Sequence, residues 1–218
     1  MNKLAQNLEI IKKNIKKSTQ DKSVTLIAVS KTFDANMVKE AIKLGLGTFG
    51  ENKVQECSLK FENILLEHPN IQLHMVGPLQ RNKVKKALSL FDIIHTVDRE
   101  KIVNEIKKNI SQISKTKEFF VQINTGKEIQ KSGIFPENAN DFINWCKQDM
   151  NINITGLMCI PPAAEDPSEH FHKLKSIAKK NNLFKLSMGM SDDYEKALNF
   201  GATHIRLGTA LFGKRNYA

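Results

Sequence analysis

The chain has 218 residues, 40% of them apolar and 26% charged, with 6 Pro, 11 Gly and a formal net charge of +10 at pH 7. That composition belongs to a globular protein long enough to bury a core, and it excludes disordered and fibrous classes. No apolar run approaches the ~20 residues that span a bilayer, and the N-terminus shows no uninterrupted apolar segment of a secretory signal. The basic clusters (Lys12-Lys13, Lys16-Lys17, Lys83, Lys85-Lys86, Lys107-Lys108, Lys179-Lys180) are scattered over helical segments without the interleaved aromatics that stack bases. No nucleic-acid or membrane partner is therefore expected, although a basic surface attracts anionic small molecules. Cys57, Cys146 and Cys159 are odd in number and form no Cys-x-x-Cys pair, which points to a reducing, cytoplasmic setting.

In chain order, Leu4, Leu8, Ile11 and Ile15 recur at helical spacing, so 2–17 reads as an amphipathic helix, and Glu9 argues against a transit peptide. Residues 24–30 are β-branched and small apolar without alternation, the pattern of a parallel strand covered on both faces. A helix follows near 34–44 and stops at Gly45. Strands are then predicted at 48–50, 71–76, 92–96, 118–123, 152–159, 184–187 and 203–207. Helices fall between them at 53–66, 82–89, 98–114, from about Pro136, at 168–180 and at 192–201. Eight strand-helix units without a linker predict a single α/β domain over 1–218, a closed (β/α)8 TIM-type barrel with an additional N-terminal helix.

In such a barrel the chemistry sits at the carboxyl ends of the strands. Lys31 follows the first strand and occupies that rim. After strand seven comes Ser187-Met188-Gly189-Met190-Ser191, and after strand eight Gly208-Thr209-Ala210, small and hydroxyl-bearing residues where barrels commonly build a phosphate site from backbone N–H groups. Either loop alone reads equally well as an ordinary turn. Arg206 lies inside strand eight, where a charge is costly unless paired or in use, and barrel closure makes that strand the neighbour of strand one. An amine beside a phosphate cradle, with a cation facing a ring nitrogen, suits pyridoxal 5'-phosphate (PLP). Two other patterns carry less. Gly45-Leu46-Gly47-Thr48-Phe49-Gly50 matches a dinucleotide fingerprint, but a helix ends there and a strand follows, the reverse of what that fingerprint needs. His170 and His172 are two apart on a helix, cannot converge on one metal ion, and read as surface residues.

The stretches Ala28-Val29-Ser30-Lys31-Thr32, Phe49-Gly50-Glu51-Asn52, His74-Met75-Val76-Gly77-Pro78-Leu79-Gln80, His95-Thr96-Val97-Asp98-Arg99, Gly156-Leu157-Met158, Leu186-Ser187-Met188-Gly189-Met190-Ser191 and Arg206-Leu207-Gly208-Thr209-Ala210 together resemble the pyridoxal phosphate homeostasis proteins. Their barrel is like the N-terminal domain of alanine racemase. The resemblance covers nearly the whole chain; Leu73 departs from it, standing where a tryptophan is expected. It implies that Lys31 carries PLP as a covalent imine, that Arg206 faces the ring nitrogen, that Ser187, Met188, Ser191, Gly208 and Thr209 hold the phosphate, and that Asn52 lines the pocket near the ring. It further implies a carrier or buffer in intracellular PLP homeostasis that has no catalytic residues or metal, is monomeric, and has PLP-dependent apo-enzymes as partners. The alternative is a PLP-dependent amino-acid racemase. A racemase needs an acid/base on each face of its substrate, and the two tyrosines, Tyr194 on a predicted outer helix and Tyr217 at the C-terminus, are not expected to supply the second.

Overall fold

A computed structural model describes residues 2–19 and 23–214. Eight parallel strands close into a barrel in sequence order: β1 (Thr25–Val29), β2 (Thr48–Glu51), β3 (Gln72–Met75), β4 (Ile93–Val97), β5 (Glu118–Ile123), β6 (Ile154–Cys159), β7 (Lys185–Ser187) and β8 (His204–Leu207). Among the described residues the helices are α1 (Lys3–Thr19), α2 (Ala35–Lys43), α3 (Val54–Glu67), α4 (Val84–Leu90), α5 (Glu100–Ile113), α6 (Ala139–Asn144), α7 (Pro167–Lys180), α8 (Tyr194–Asn199) and the short α9 (Thr209–Phe212). The (β/α)8 expectation holds, and the strand ends fall within about two residues of the predicted ones. The helix expected near Pro136 is broken into a 3-10 turn (Pro136–Asn138), α6 and a π-helical turn (Trp145–Asp149).

Local chemistry sets the helix ends. The Asp34 carboxylate accepts from Met37 N at 2.9 Å to cap α2, and Gly45, at φ 86°, carries the chain out of it toward β2. Asp166 caps α7 in the same way, with Pro167 in the first turn. On α1, Leu4, Leu8 and Ile11 are buried, each burial contributing about 1.5–3 kcal/mol. The same helix reaches α8 and α9 through Asn14 Nδ2, which donates to Tyr194 Oη at 2.9 Å, and Asn7 Nδ2, which donates to the Leu211 carbonyl at 3.0 Å.

The main core lies between the barrel and its helices. Near the mouth the barrel interior holds Ile27, Val29 and Val76, and Gly50 fits there because a Cβ would come within 2.8 Å of Ile27 Cγ2. Deeper, the filling is aromatic and polar. His74, His95, Phe120 and His204 meet with ring centroids 4.4–6.1 Å apart, although β3 and β8 are not neighbours, so these rings must point inward.

One sequence expectation fails here. His172 is exposed as predicted, but His170 is only 3% exposed, and its Nε2 lies 3.0 Å from Glu165 Oε2. The reason is helical phase: His170 shares the inward face of α7 with Leu174, Ile177 and Ala178.

Candidate functional site

Residues from the carboxyl ends of β1, β2, β3, β6, β7 and β8 surround a cavity of about 240 Å³ at the barrel mouth. Six of the eight residues singled out from the sequence line it: Lys31, Asn52, Ser191, Arg206, Gly208 and Thr209. Val29, Val76, Ile160 and Met190 supply apolar walls, and Asp192 completes the lining.

Barrel closure is what joins Lys31 to Arg206. β1 pairs with β8 in the register Ile27 to Arg206 and Ala28 to Leu207, so the turn carrying Lys31 lies just beyond the strand that carries the guanidinium. On the facing loop, Gly189 at φ 93° packs so tightly that a Cβ would lie 2.6 Å from Ala197 Cβ, which only glycine tolerates. The Gly189 carbonyl accepts from Arg206 N at 2.9 Å, and Ser191 Oγ accepts from Ala210 N at 3.0 Å. The loops after β7 and β8 are thereby bonded to each other, and α9 begins between them, where the first N–H groups of a helix have no intrahelical partner. Asn52 is held from behind by Gly77, where a Cβ would lie 2.5 Å from Asn52 Cα.

Arg206 is 4% exposed and makes no ion pair among the described residues. Its Nη1 donates to Ser187 Oγ at 2.7 Å and its Nη2 to the Cys159 carbonyl at 2.8 Å. Burial pulls its pKa down, opposed by Cys159 and Asp193. Ser187 Oγ also lies 2.9 Å from His95 Nδ1, and His95 Nε2 lies 3.0 Å from His74 Nδ1. The guanidinium only donates, so Ser187 Oγ accepts from it and its hydroxyl proton is available to His95 Nδ1, in the tautomer whose Nε2–H donates to His74. Burial pushes His74 down to about 3 and His204 to about 4, and holds His95 well below the ordinary histidine value. The buried cation is thus supported by a chain of neutral dipoles.

Two of the residues expected at the phosphate stand behind the cavity lining. Ser187 is fully buried with its hydroxyl engaged by Arg206 and His95, and Met188 is fully buried with its N–H given to the His204 carbonyl at 3.1 Å. Neither lines the cavity, whereas Ser191, Gly208 and Thr209 do. The sequence reading missed His74, His95 and Cys159 as supports of Arg206; their placement depends on strand alternation and on which strands face one another after closure. Tyr194 sits on the outer helix α8, away from the cavity lining, and Tyr217 lies outside the described residues.

The chemistry assembled here is an amine, a buried guanidinium and a donor-rich double loop around a small cavity. Residues 1–216 match the family model for the N-terminal domain of alanine racemase. The pyridoxal phosphate homeostasis protein of Aquifex aeolicus is 34% identical over 225 residues, covering 99% of this chain and 98% of that protein. PipY of Synechococcus elongatus PCC7942, solved with PLP bound, superimposes with a TM-score of 0.86 at 32% identity, covering 97% of this chain and all of that one. Alanine racemase from Corynebacterium glutamicum, at 15% identity and a TM-score of 0.67, covers 99% of this chain and 61% of its own, a likeness of fold alone. By sequence, barrel topology and the residues at its mouth, the chain belongs to the pyridoxal phosphate homeostasis protein family.

Proposed function

We propose that this chain is a PLP-binding protein of intracellular, cytoplasmic cofactor homeostasis. In this reading it is a monomer with residues 1–218 acting as one domain, which holds the cofactor through an imine to Lys31 and hands it to apo-enzymes. The observation that carries the reading is the convergence of Lys31, the buried Arg206 guanidinium and two mutually bonded donor loops on one cavity. The residues fit the cofactor chemically. Lys31 is the amine for an aldehyde carbon. Arg206, cationic and already tied down through Ser187 and Cys159, would face the ring nitrogen of a bound cofactor and disfavour its protonation. Ser191, Gly208 and Thr209 offer hydroxyl and amide donors to a phosphate. Val29, Val76, Ile160 and Met190 keep water from the ring faces. When bound, PLP supplies the electrophilic aldehyde and an electron-accepting ring.

The fold is shared with racemases, so racemisation is the second reading. Two-base racemisation needs a proton donor opposite Lys31. Among the described residues that line the cavity no tyrosine, histidine or cysteine occurs, and Asp192 stands in the loop assigned here to the phosphate. We therefore propose carriage rather than turnover.

Borohydride reduction after adding PLP near stoichiometry, followed by peptide mapping, should label Lys31, and Lys31→Ala should lose both the label and the yellow absorbance. A label on another lysine in the wild type would overturn the assignment. Conversion of an L-amino acid to the D form at a turnover near the ~10 per second typical of enzymes, abolished by Lys31→Ala, would favour the racemase.

A further inference from the structure

Lys31 sits at the second position of a four-residue turn closed by Phe33 N donating to the Ser30 carbonyl at 3.1 Å. The third position is Thr32, at φ 69°. A left-handed residue there marks a type II turn and calls for glycine or asparagine; a β-branched residue is strained and persists only if its surroundings over-determine it. Those surroundings are two side chains of α3. Glu56 Oε1 accepts from Thr32 N at 2.7 Å, which holds the peptide group after Lys31. Lys60 Nζ donates to the Ser30 carbonyl at 2.7 Å, which holds the peptide group before it. Both peptide units flanking the Lys31 Cα are thus gripped by residues one helical turn apart, which also pair with each other at 3.1 Å. Lys60 is further anchored to buried Glu51 at 2.9 Å, and Glu51 Oε1 accepts from Ser30 Oγ at 2.7 Å.

A plainer role for these charges would be an ion-pair network that simply stabilises the sheet-helix contact. Buried ion pairs are a weak source of stability, and well-packed apolar residues often serve as well. What an apolar replacement cannot do is accept from Thr32 N–H and donate to Ser30 C=O at the same time. Burial alone would raise the Glu56 carboxyl, but the Thr32 N–H and the Lys60 ammonium outweigh it and hold Glu56 below the usual carboxylate range.

We infer that Glu56 and Lys60 are positioning residues for Lys31: their paired grip on the Ser30–Phe33 turn aims the lysine amine into the mouth cavity. The inference rests on the assignment of Lys31 as the imine-forming residue. It places part of the binding machinery outside the cavity, on a helix that does not line it.

A double-mutant cycle tests it, read as PLP affinity and as the fraction of PLP trapped on Lys31 by borohydride. Glu56→Ala should lower PLP affinity and trapping about tenfold, the scale of one lost charge-assisted hydrogen bond. Glu56→Gln, whose amide oxygen still accepts from Thr32 N–H, should recover most of the loss. In a Lys31→Ala background, Glu56→Ala should leave the residual noncovalent PLP affinity unchanged, because nothing remains to aim. Thermal unfolding of each variant keeps loss of fold separate from loss of aim. An equal loss with and without Lys31, or undiminished trapping in Glu56→Ala, overturns the inference while leaving Lys31 as the imine residue. A wild-type protein that forms no adduct at Lys31 overturns the underlying assignment, and the inference with it.

Discussion

The two cations at the barrel mouth are held in opposite ways. On the β1–β2 side, the turn bearing Lys31 is braced by charges: Glu56, Lys60 and the fully buried Glu51. On the β7–β8 side, Arg206 is braced by neutral groups: Ser187, His95, His74 and the Cys159 carbonyl. The difference matches what each cation has to do. A carboxylate against Arg206 would neutralise the guanidinium and occupy its donors, whereas oriented neutral dipoles support the charge and leave it unspent. In the proposed function Lys31 needs its backbone fixed, and Glu56 on the Thr32 N–H and Lys60 on the Ser30 carbonyl grip the peptide groups on either side of it.

The comparison is most severely strained by Lys60→Met. With Lys60 gone, Glu51 is a buried carboxylate without its cation, and breaking such a pair costs about 3–5 kcal/mol. Burial already pushes the Glu51 carboxyl above 4.5 against the pull of Lys60 and Ser30, and removing Lys60 pushes it further. A raised carboxyl disfavours the fold once it ionises, so the penalty should be full at neutral pH and recede as the pH falls and Glu51 takes up a proton. Urea unfolding midpoints across that range check both the size and the sign.

On the neutral side, Ser187→Ala leaves one guanidinium donor buried without a partner, a cost of about 1–3 kcal/mol. PLP affinity should fall with it, because the side chain that anchors Arg206 is lost. If Ser187→Ala cost as much as Lys60→Met, the two supports would not differ in kind.

The histidines give the neutral side its own pH signature. His74 and His204, depressed by burial to about 3 and about 4, stay neutral in the fold, while in the unfolded chain they take up protons below about 6.5. Their contribution is therefore intact above that pH and is lost as the pH falls toward the folded values. His204→Gln should soften the acid loss of stability, measured as the slope of unfolding free energy between pH 6.5 and 4. An unchanged slope would mean that His204 is already protonated in the folded barrel.

The smallest effect belongs to Thr32→Gly. Glycine relieves the left-handed strain but adds backbone freedom to the unfolded chain, so stability should change by less than about 1 kcal/mol by urea titration. In the same variant Glu56→Ala should matter less for trapping at Lys31, since glycine adopts that φ without being held there.

Local pattern was enough to read the barrel and half of the site. Residues 24–30 and 118–123 announce themselves because apolar β-branched, small and aromatic residues dominate them, and Gly45 ends its helix through its own backbone freedom. Lys31, Ser191, Gly208 and Thr209 were legible because strand ends are identifiable from hydrophobic periodicity, and the mouth of a parallel barrel is made of strand ends. His170 does not follow its polar type: its spacing from Leu174, Ile177 and Ala178 puts it on the buried face of α7.

The sequence by itself determined the alternation of strands and helices and which residues stand at the rim, because these follow from spacing along one chain, and its short motifs carried the resemblance to the family. Tertiary structure alone decided that Ser187 turns inward to His95 and Arg206, that Met188 spends its N–H on His204, and that Glu56 and Lys60 reach the turn around Lys31. Each of these pairs residues distant in sequence across an interior or a helix-strand seam, and its partners come together only when β8 closes on β1 and α3 packs against the barrel.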